Sequence, residues 1–226
     1  MTLMADRLEI NYDTADYDWG KKIDLDDLEE KLKKNDYAMV AAIHAETSTG
    51  VLNPIKEIGE LCKKYNARLM IDCVTSLGGT EIKFDEWNVD YAYSGTQKCL
   101  AAPPGLSPVS ISESAIEYIK SRKKQPSSWY LDLVALSDYW GKEHIAHQTT
   151  PVNLVYALNE ALNLTFEEGL ENKFLRHKIM SDGLKKGLKE LCLVLPVDES
   201  YALNQLTVIN IPENINDIDF RNKLLR

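Results

Sequence analysis

Three short segments that read as strands, the first two separated by an amphipathic helix, set the architecture of this chain. Residues Tyr37 to Ile43 (YAMVAAI) are a continuous small-apolar run. Arg68 to Asp72 is a second predicted strand, ending on a carboxylate, and Asp90 to Ser94 a third, leading into Gly-Thr-Gln-Lys. A continuous run such as the first, in place of apolar–polar alternation, predicts a strand covered on both faces, as in a parallel sheet. After the polar loop His44 to Gly50, Asn53 and Pro54 predict an N-cap and first helical position. Ile55, Ile58, Leu61, Cys62 and Tyr65 form the buried stripe, and Asn66 the stop. Strand, helix, strand, loop, strand is the order of an α/β layered domain with a mainly parallel sheet.

The flanking segments are mainly helical. Asp24 caps a surface helix to Lys34, with Leu25, Leu28 and Leu32 on one face and Glu29/Lys33 and Glu30/Lys34 paired at i,i+4. Ser112 caps another helix running to about Arg122, Trp129 to Leu136 predicts a short one, and Ser137 to Thr150 a polar, aromatic loop. Thr150 and Pro151 then open a long helix with Val152, Val155, Leu158, Leu162 and Phe166 on one face. A second follows Gly169 with Leu170, Phe174, His177, Met180 and Leu184. Leu191 to Leu195 and Gln205 to Ile211 are predicted strands and Asn216 to Arg226 a last helix, an α/β unit that is begun but not completed. The expected division is residues 1–165 as part of a large domain, and 166–226 as an interdomain helix with an incomplete small domain.

Charge and cysteine usage narrow the function. A net charge of −9 argues against a general binder of nucleic-acid backbones, and the one basic run, around Lys120 to Lys124, fits a solvated helix end. No apolar stretch is long enough to cross a bilayer, and the N-terminus does not read as a secretory signal. The expected address is the cytosol, with peroxisomal and mitochondrial addresses left open. Cys62, Cys73, Cys99 and Cys192 are far apart, without a CxxC pair or a histidine at ligand spacing, so they predict reduced, mostly buried thiols and no metal site.

The polar groups gather at strand ends: His44-Ala45-Glu46-Thr47-Ser48-Thr49-Gly50, then Asp72, then Ser94-Gly95-Thr96-Gln97-Lys98. In an open parallel sheet, ligands sit outside the carboxyl ends of the strands, so these loops converge on one pocket. A lysine, a carboxylate and hydroxyls in one pocket suit pyridoxal 5′-phosphate (PLP). It needs an amine for a Schiff base, an acid beside its pyridine nitrogen, and hydrogen bonds to its ring oxygen and phosphate. A Walker loop and a dinucleotide fingerprint are excluded, since neither GxxxxGK[ST] nor GxGxxG occurs. His44 lies at the rim, where bonding a backbone carbonyl is the favoured reading over touching substrate. His177 is read as structural.

The runs HAETSTGVLNP, LMIDCVTSLGGT, DYAYSGTQKCLAAPPGLS and SSWYLDL closely resemble the alanine-glyoxylate / serine-pyruvate aminotransferase group, class V aminotransferases of PLP fold type I. The resemblance extends from about Arg7 to the C-terminus. It implies that Lys98 carries PLP and is the catalytic residue, Asp72 binds the pyridine nitrogen, and Thr47 lies near the phenolic oxygen. Val74 packs on the ring and Gln97 helps hold the phosphate. It also implies a homodimer in which Thr149 reaches the neighbouring subunit's phosphate. The implied substrates are a small amino acid, alanine or serine, and a keto acid, glyoxylate or pyruvate.

Two departures qualify the resemblance. Ala146 stands where the family usually has a tyrosine, leaving one phosphate hydrogen bond to another group, with His147 and Gln148 as candidates. Family members also extend further on both sides, so the chain is expected to be a fragment whose full-length parent is the functional unit. Rival readings are another class V chemistry on the same scaffold, such as a phosphoserine-type aminotransferase, a desulfurase or a lyase, and an inert fragment that serves only as a binding or dimerisation module.

Overall fold

The computed structural model describes residues 1–142 and 144–225. A short helix, α1 (Thr2–Arg7), and an extended segment lead to α2 (Leu25–Lys34), where the Asp24 carboxylate accepts from the Asp26 and Asp27 amides as expected of its cap. Then come β1 (Met39–Ile43), a small antiparallel hairpin of β2 (Ala45–Glu46) and β3 (Val51–Leu52), α3 (Ile55–Lys64), β4 (Arg68–Asp72), β5 (Tyr91–Tyr93) and β6 (Val109–Ile111). The main sheet has the order β1-β4-β5-β6. The first three strands are parallel, and β6 runs antiparallel along the edge. This is the mixed α/β, mainly parallel architecture that the apolar runs predict.

Register decides which side chains share a face. Val40 and Ala42 of β1 stand beside Leu69 and Ile71 of β4, and with Ala92 they pack under α2 and α3, against Leu28, Leu32, Ile55, Ile58 and Cys62. Leu69, Ile71 and Ile58 are fully buried. The expectation that β1 is covered on both faces is corrected: Met39 and Ala41 are exposed, so the strand alternates. Small apolar side chains are compatible with either situation, and a run of them does not reveal whether a second layer lies over it.

Asn53 is also not the cap of α3. Pro54 holds that position, while the Asn53 amide group donates to Ile43 O at 2.8 Å and accepts from the Ile23 amide at 2.9 Å, tying the hairpin to the end of β1. Asn66 ends the helix as expected, in a left-handed conformation with φ 55°. Ser112 caps α4 (Glu113–Ser121), its hydroxyl accepting from the Ala115 amide. Helix α5 (Leu133–Trp140) starts later than expected because Asp132 caps it, and it takes up the first part of the predicted loop.

The long helices α6 (Val152–Glu168) and α7 (Leu170–Glu190) meet at Gly169, whose φ of 82° makes the elbow. Their inner faces match the sequence expectation only in part, with Val155, Leu158, Leu162, Phe174 and His177 half-buried. Val152, Phe166, Leu170, Met180 and Leu184 are exposed, whereas Ala161, Thr165, Lys173 and Ser181 are buried. Along α7 the inward positions 173, 177, 181 and 185 follow helical spacing, but they carry Lys, His, Ser and Lys. Neither Leu191 to Leu195 nor Gln205 to Ile211 forms a paired strand: Leu191 and Cys192 make a turn, with Cys192 at φ 58°, and the Asn210 amide donates to Val194 O at 2.8 Å to join the two segments. The final helix, α8 (Asp217–Leu224), is capped by Asn216, and its expected last residue, Arg226, lies outside the described residues.

Candidate functional site

Three strands deliver polar groups to one edge. In the β1-β4-β5 register Ile43 stands beside Asp72 and Asp72 beside Tyr93, so the strands end level, and their following segments leave from the same side. The segment after β1 is the β2–β3 hairpin, closed by the Gly50 amide on Glu46 O at 2.8 Å with Gly50 at φ 84°. Thr47 and Ser48 are exposed at its tip.

Asp72 ends β4 half-buried and held on both oxygens. Oδ1 accepts from the Val74 amide at 2.9 Å and Oδ2 from the Tyr93 hydroxyl at 2.8 Å. A carboxylate has about four acceptor positions, so two bonds orient the group and leave capacity for a further donor. Burial, with the Asp72 hydrogen bond and charge behind it, pushes the Tyr93 hydroxyl well above its usual range, which keeps it a donor. Val74 thus meets Asp72 through its main chain, and its side chain is half-buried.

The segment after β5 carries Gln97 and Lys98, both exposed, on a frame of buried residues. Ser94 donates to Cys73 O at 3.2 Å, and Thr96, fully buried, donates to Pro103 O at 2.5 Å. The turn after Lys98 closes with the Ala101 amide on Lys98 O at 2.9 Å, and Ala101 takes the left-handed region at φ 58°. Gly95 leaves room for Gln97 to fold back: a Cβ there would lie 2.7 Å from Gln97 Oε1. Cys99 adjoins Thr75, its thiol reaching Thr75 O at 3.4 Å, and burial raises its pKa, so it reads as a packing group rather than a nucleophile.

The remaining expectations fare unevenly. His44 does not sit at a rim: it is 2% exposed, edge-on to Trp87 with ring centroids 5.8 Å apart, and its Nδ1 has no partner among the described residues. Burial lowers its pKa to about 4. Thr149 is exposed in the segment before α6, and no described contact joins it to Asp72 or Lys98. His147 is buried beside Trp129, with ring centroids 4.2 Å apart. Ala146 is exposed.

Sequence reasoning missed Tyr93, although its signal was available, because two strands ending level place a strand-end tyrosine beside a strand-end aspartate. It also missed Lys173 and Gln205, whose Nε2 donates to Thr75 O at 3.3 Å. Nothing in the local pattern around either residue marks it.

The family model for aminotransferase class V matches residues 2–224 of the chain. This chain is a class V aminotransferase family member. Its relatives in the family include the (S)-ureidoglycine–glyoxylate transaminase of Bacillus subtilis, 36% identical over 100% of this chain and 58% of that protein. The alanine–glyoxylate aminotransferase of Rattus norvegicus is 40% identical over 87% of this chain and 49% of its own length. Among solved structures, the alanine–glyoxylate aminotransferase of Nostoc sp. superimposes with a TM-score of 0.95 at 41% identity, covering 99% of this chain and 59% of that one. The chain therefore spans about half the length of the relatives it matches, and the mixed α/β architecture with its mainly parallel sheet is that of the fold type I aminotransferases. Among the described residues no helix is long and apolar enough to cross a membrane.

The site fits the group that this family membership implies. Asp72 is fixed with acceptor capacity to spare, Lys98 is exposed on a hydrogen-bonded turn, and Gly95 leaves space for the Gln97 amide.

Proposed function

We propose that the whole protein to which this chain belongs is a PLP-dependent aminotransferase that passes an amino group from a small amino acid to a keto acid. The observation that carries this reading is the orientation of Asp72 by Tyr93 and Val74 at the same sheet edge from which the Lys98 turn projects. When bound, PLP supplies an electron sink for the substrate carbon that loses its proton. Lys98 would hold the cofactor covalently and, once displaced by the substrate amine, move the proton at substrate Cα, acting as nucleophile and base in turn.

The other residues position. Asp72 would keep the ring nitrogen protonated, where each unit of pKa is worth about 1.4 kcal/mol between the two states. Thr47 would meet the ring's phenolic oxygen, Val74 a ring face, and Gln97 the phosphate. Thr149 would serve the site of a second copy, which makes the working unit a homodimer. Glyoxylate is the keto acid we favour, because it is common to the names of both the ureidoglycine and the alanine relatives. Alanine or serine is the proposed donor.

The test is a spectral titration of the folded chain with PLP, borohydride reduction and peptide mapping. Label on Lys98, abolished in Lys98→Ala, is expected. A folded chain that takes label elsewhere, or none, overturns the assignment of Lys98.

A further inference from the structure

Lys173 lies on the first turn of α7 and is only 6% exposed. Its ammonium donates to two uncharged oxygens, Cys99 O at 2.8 Å and Thr165 Oγ1 at 3.0 Å. Burying a lysine costs stability unless hydrogen bonds offset it, and an apolar side chain would fill the same space without that cost. What Lys173 adds is donors, and their targets are specific. Cys99 O belongs to the residue that follows Lys98, and Thr165 sits in the last turn of α6.

The contact also extends towards Asp72. Cys99 reaches Thr75 O through its thiol, and Thr75 belongs to the segment that begins with Asp72 and Val74. A Cβ on Gly79 would lie 2.5 Å from Cys99 Sγ, so the turn at the end of that segment is pressed against Cys99. Cys99 is thus clamped between the Asp72 segment on one side and the α6–α7 elbow on the other, with Lys98 as its neighbour in the chain.

We propose that Lys173 is a positioning residue for Lys98, fixing the lysine-bearing turn to the α6–α7 elbow so that the two move as one body. The proposal rests on the reading of Lys98 as the cofactor lysine. Lys173 takes no part in bond making. It holds the Cys99 carbonyl, and with it the direction in which Lys98 leaves the turn.

The experiment is the rate of borohydride-trappable PLP capture on Lys98 in the chain, its Lys173→Met variant and its Lys173→Arg variant, with circular dichroism as the check on folding. Displacing a reacting group by a fraction of an ångström slows its reaction by about tenfold or more, so Lys173→Met is expected to lose at least that much. Arg keeps the charge and the donors and is expected to restore capture to within about twofold. A folded Lys173→Met protein that captures PLP at the parent rate overturns the proposal while leaving Lys98 as the cofactor lysine. Failure of the parent chain to take label at Lys98 removes both readings. Should Lys173→Met not fold, hydrogen exchange in the folded Thr165→Val protein decides: loss of that acceptor is expected to speed exchange across residues 97–102 about threefold or more, leaving β4 unchanged. Unchanged exchange over 97–102 overturns the proposal.

Discussion

The Tyr93 hydroxyl donates to Asp72 Oδ2 at 2.8 Å across the β4–β5 boundary, where the two residues are register partners. The bond joins the acid proposed to face the cofactor's ring nitrogen to the strand that leads to Lys98. It ties one of the acid's two oxygens to the sheet, the other being held by the turn at Val74, and a site built on strands is held more closely than one built on loops alone.

Tyr93→Phe tests this. A hydrogen bond to a charged group contributes about 1.5–3 kcal/mol, and the Val74 amide remains to hold the other oxygen. PLP affinity is expected to fall about tenfold, equivalent to about 1.4 kcal/mol, with the circular dichroism spectrum unchanged. Asp72→Asn keeps the shape and removes the charge. It is expected to leave the fold intact while abolishing turnover in the whole enzyme. Equal PLP affinity in Tyr93→Phe and the parent chain would reduce Tyr93 to scaffold.

His44 gives the fold an acid-sensitive point. Burial holds its pKa at about 4, against 6.5 for the free group. Above pH 6.5 both folded and unfolded chains carry it neutral, and no stability is lost. As pH falls from 6.5 towards 4 the unfolded chain takes a proton that the folded chain refuses, so stability declines by as much as about 3 kcal/mol. Below about 4 the folded chain protonates too and this contribution levels off. Urea midpoints at pH 7.5, 5.5 and 4.5 in the parent and in His44→Asn measure it: the variant is expected to show a shallower fall over that window. Parallel curves would mean that His44 titrates normally.

The sheet was legible where a strand is defined by what it buries. Val40, Ala42, Leu69 and Ile71 lie under α3 and form apolar runs, so β1 and β4 could be read, and the positions of Asp72 and Lys98 beyond strand ends followed. Strand β6 was not read because its three residues are exposed or half-exposed along an edge, and such a strand carries no apolar run. The inner face of α7 misled for the opposite reason. Apolar periodicity pointed to Leu170, Met180 and Leu184, which are exposed, while Lys173 and Lys185 turn inward to satisfy main-chain carbonyls of Cys99 and Leu203. A lysine recruited by a distant carbonyl has the same sequence signature as one facing water. The carbonyls that Asn53 and Lys173 meet, those of Ile43 and Cys99, are likewise 10 and 74 residues away, beyond the reach of any local pattern.

Gly59 sets helix propensity against tertiary contact, and the two predict opposite signs. In mid-α3 an alanine in place of glycine favours the helix by about 1 kcal/mol. A Cβ there, however, would lie 1.8 Å from Trp87 O and 2.9 Å from the carbonyl carbon, main-chain atoms that cannot swing aside as a side chain can. Overpacking of a filled core costs about 1–3 kcal/mol, and an approach this close belongs at the upper end of that range, so contact wins. Gly59→Ala is expected to lower stability by about 2 kcal/mol net, read as a lower denaturant midpoint with the slope unchanged. The displaced Trp87 also packs edge-on against His44, whose amide donates to Asp72 O at 2.9 Å. The same substitution is therefore expected to weaken PLP binding modestly, although no atom of Gly59 reaches the site. A midpoint at or above that of the parent chain would show that α3 shifts to accept the methyl group and that its seat on Trp87 is looser than the geometry requires.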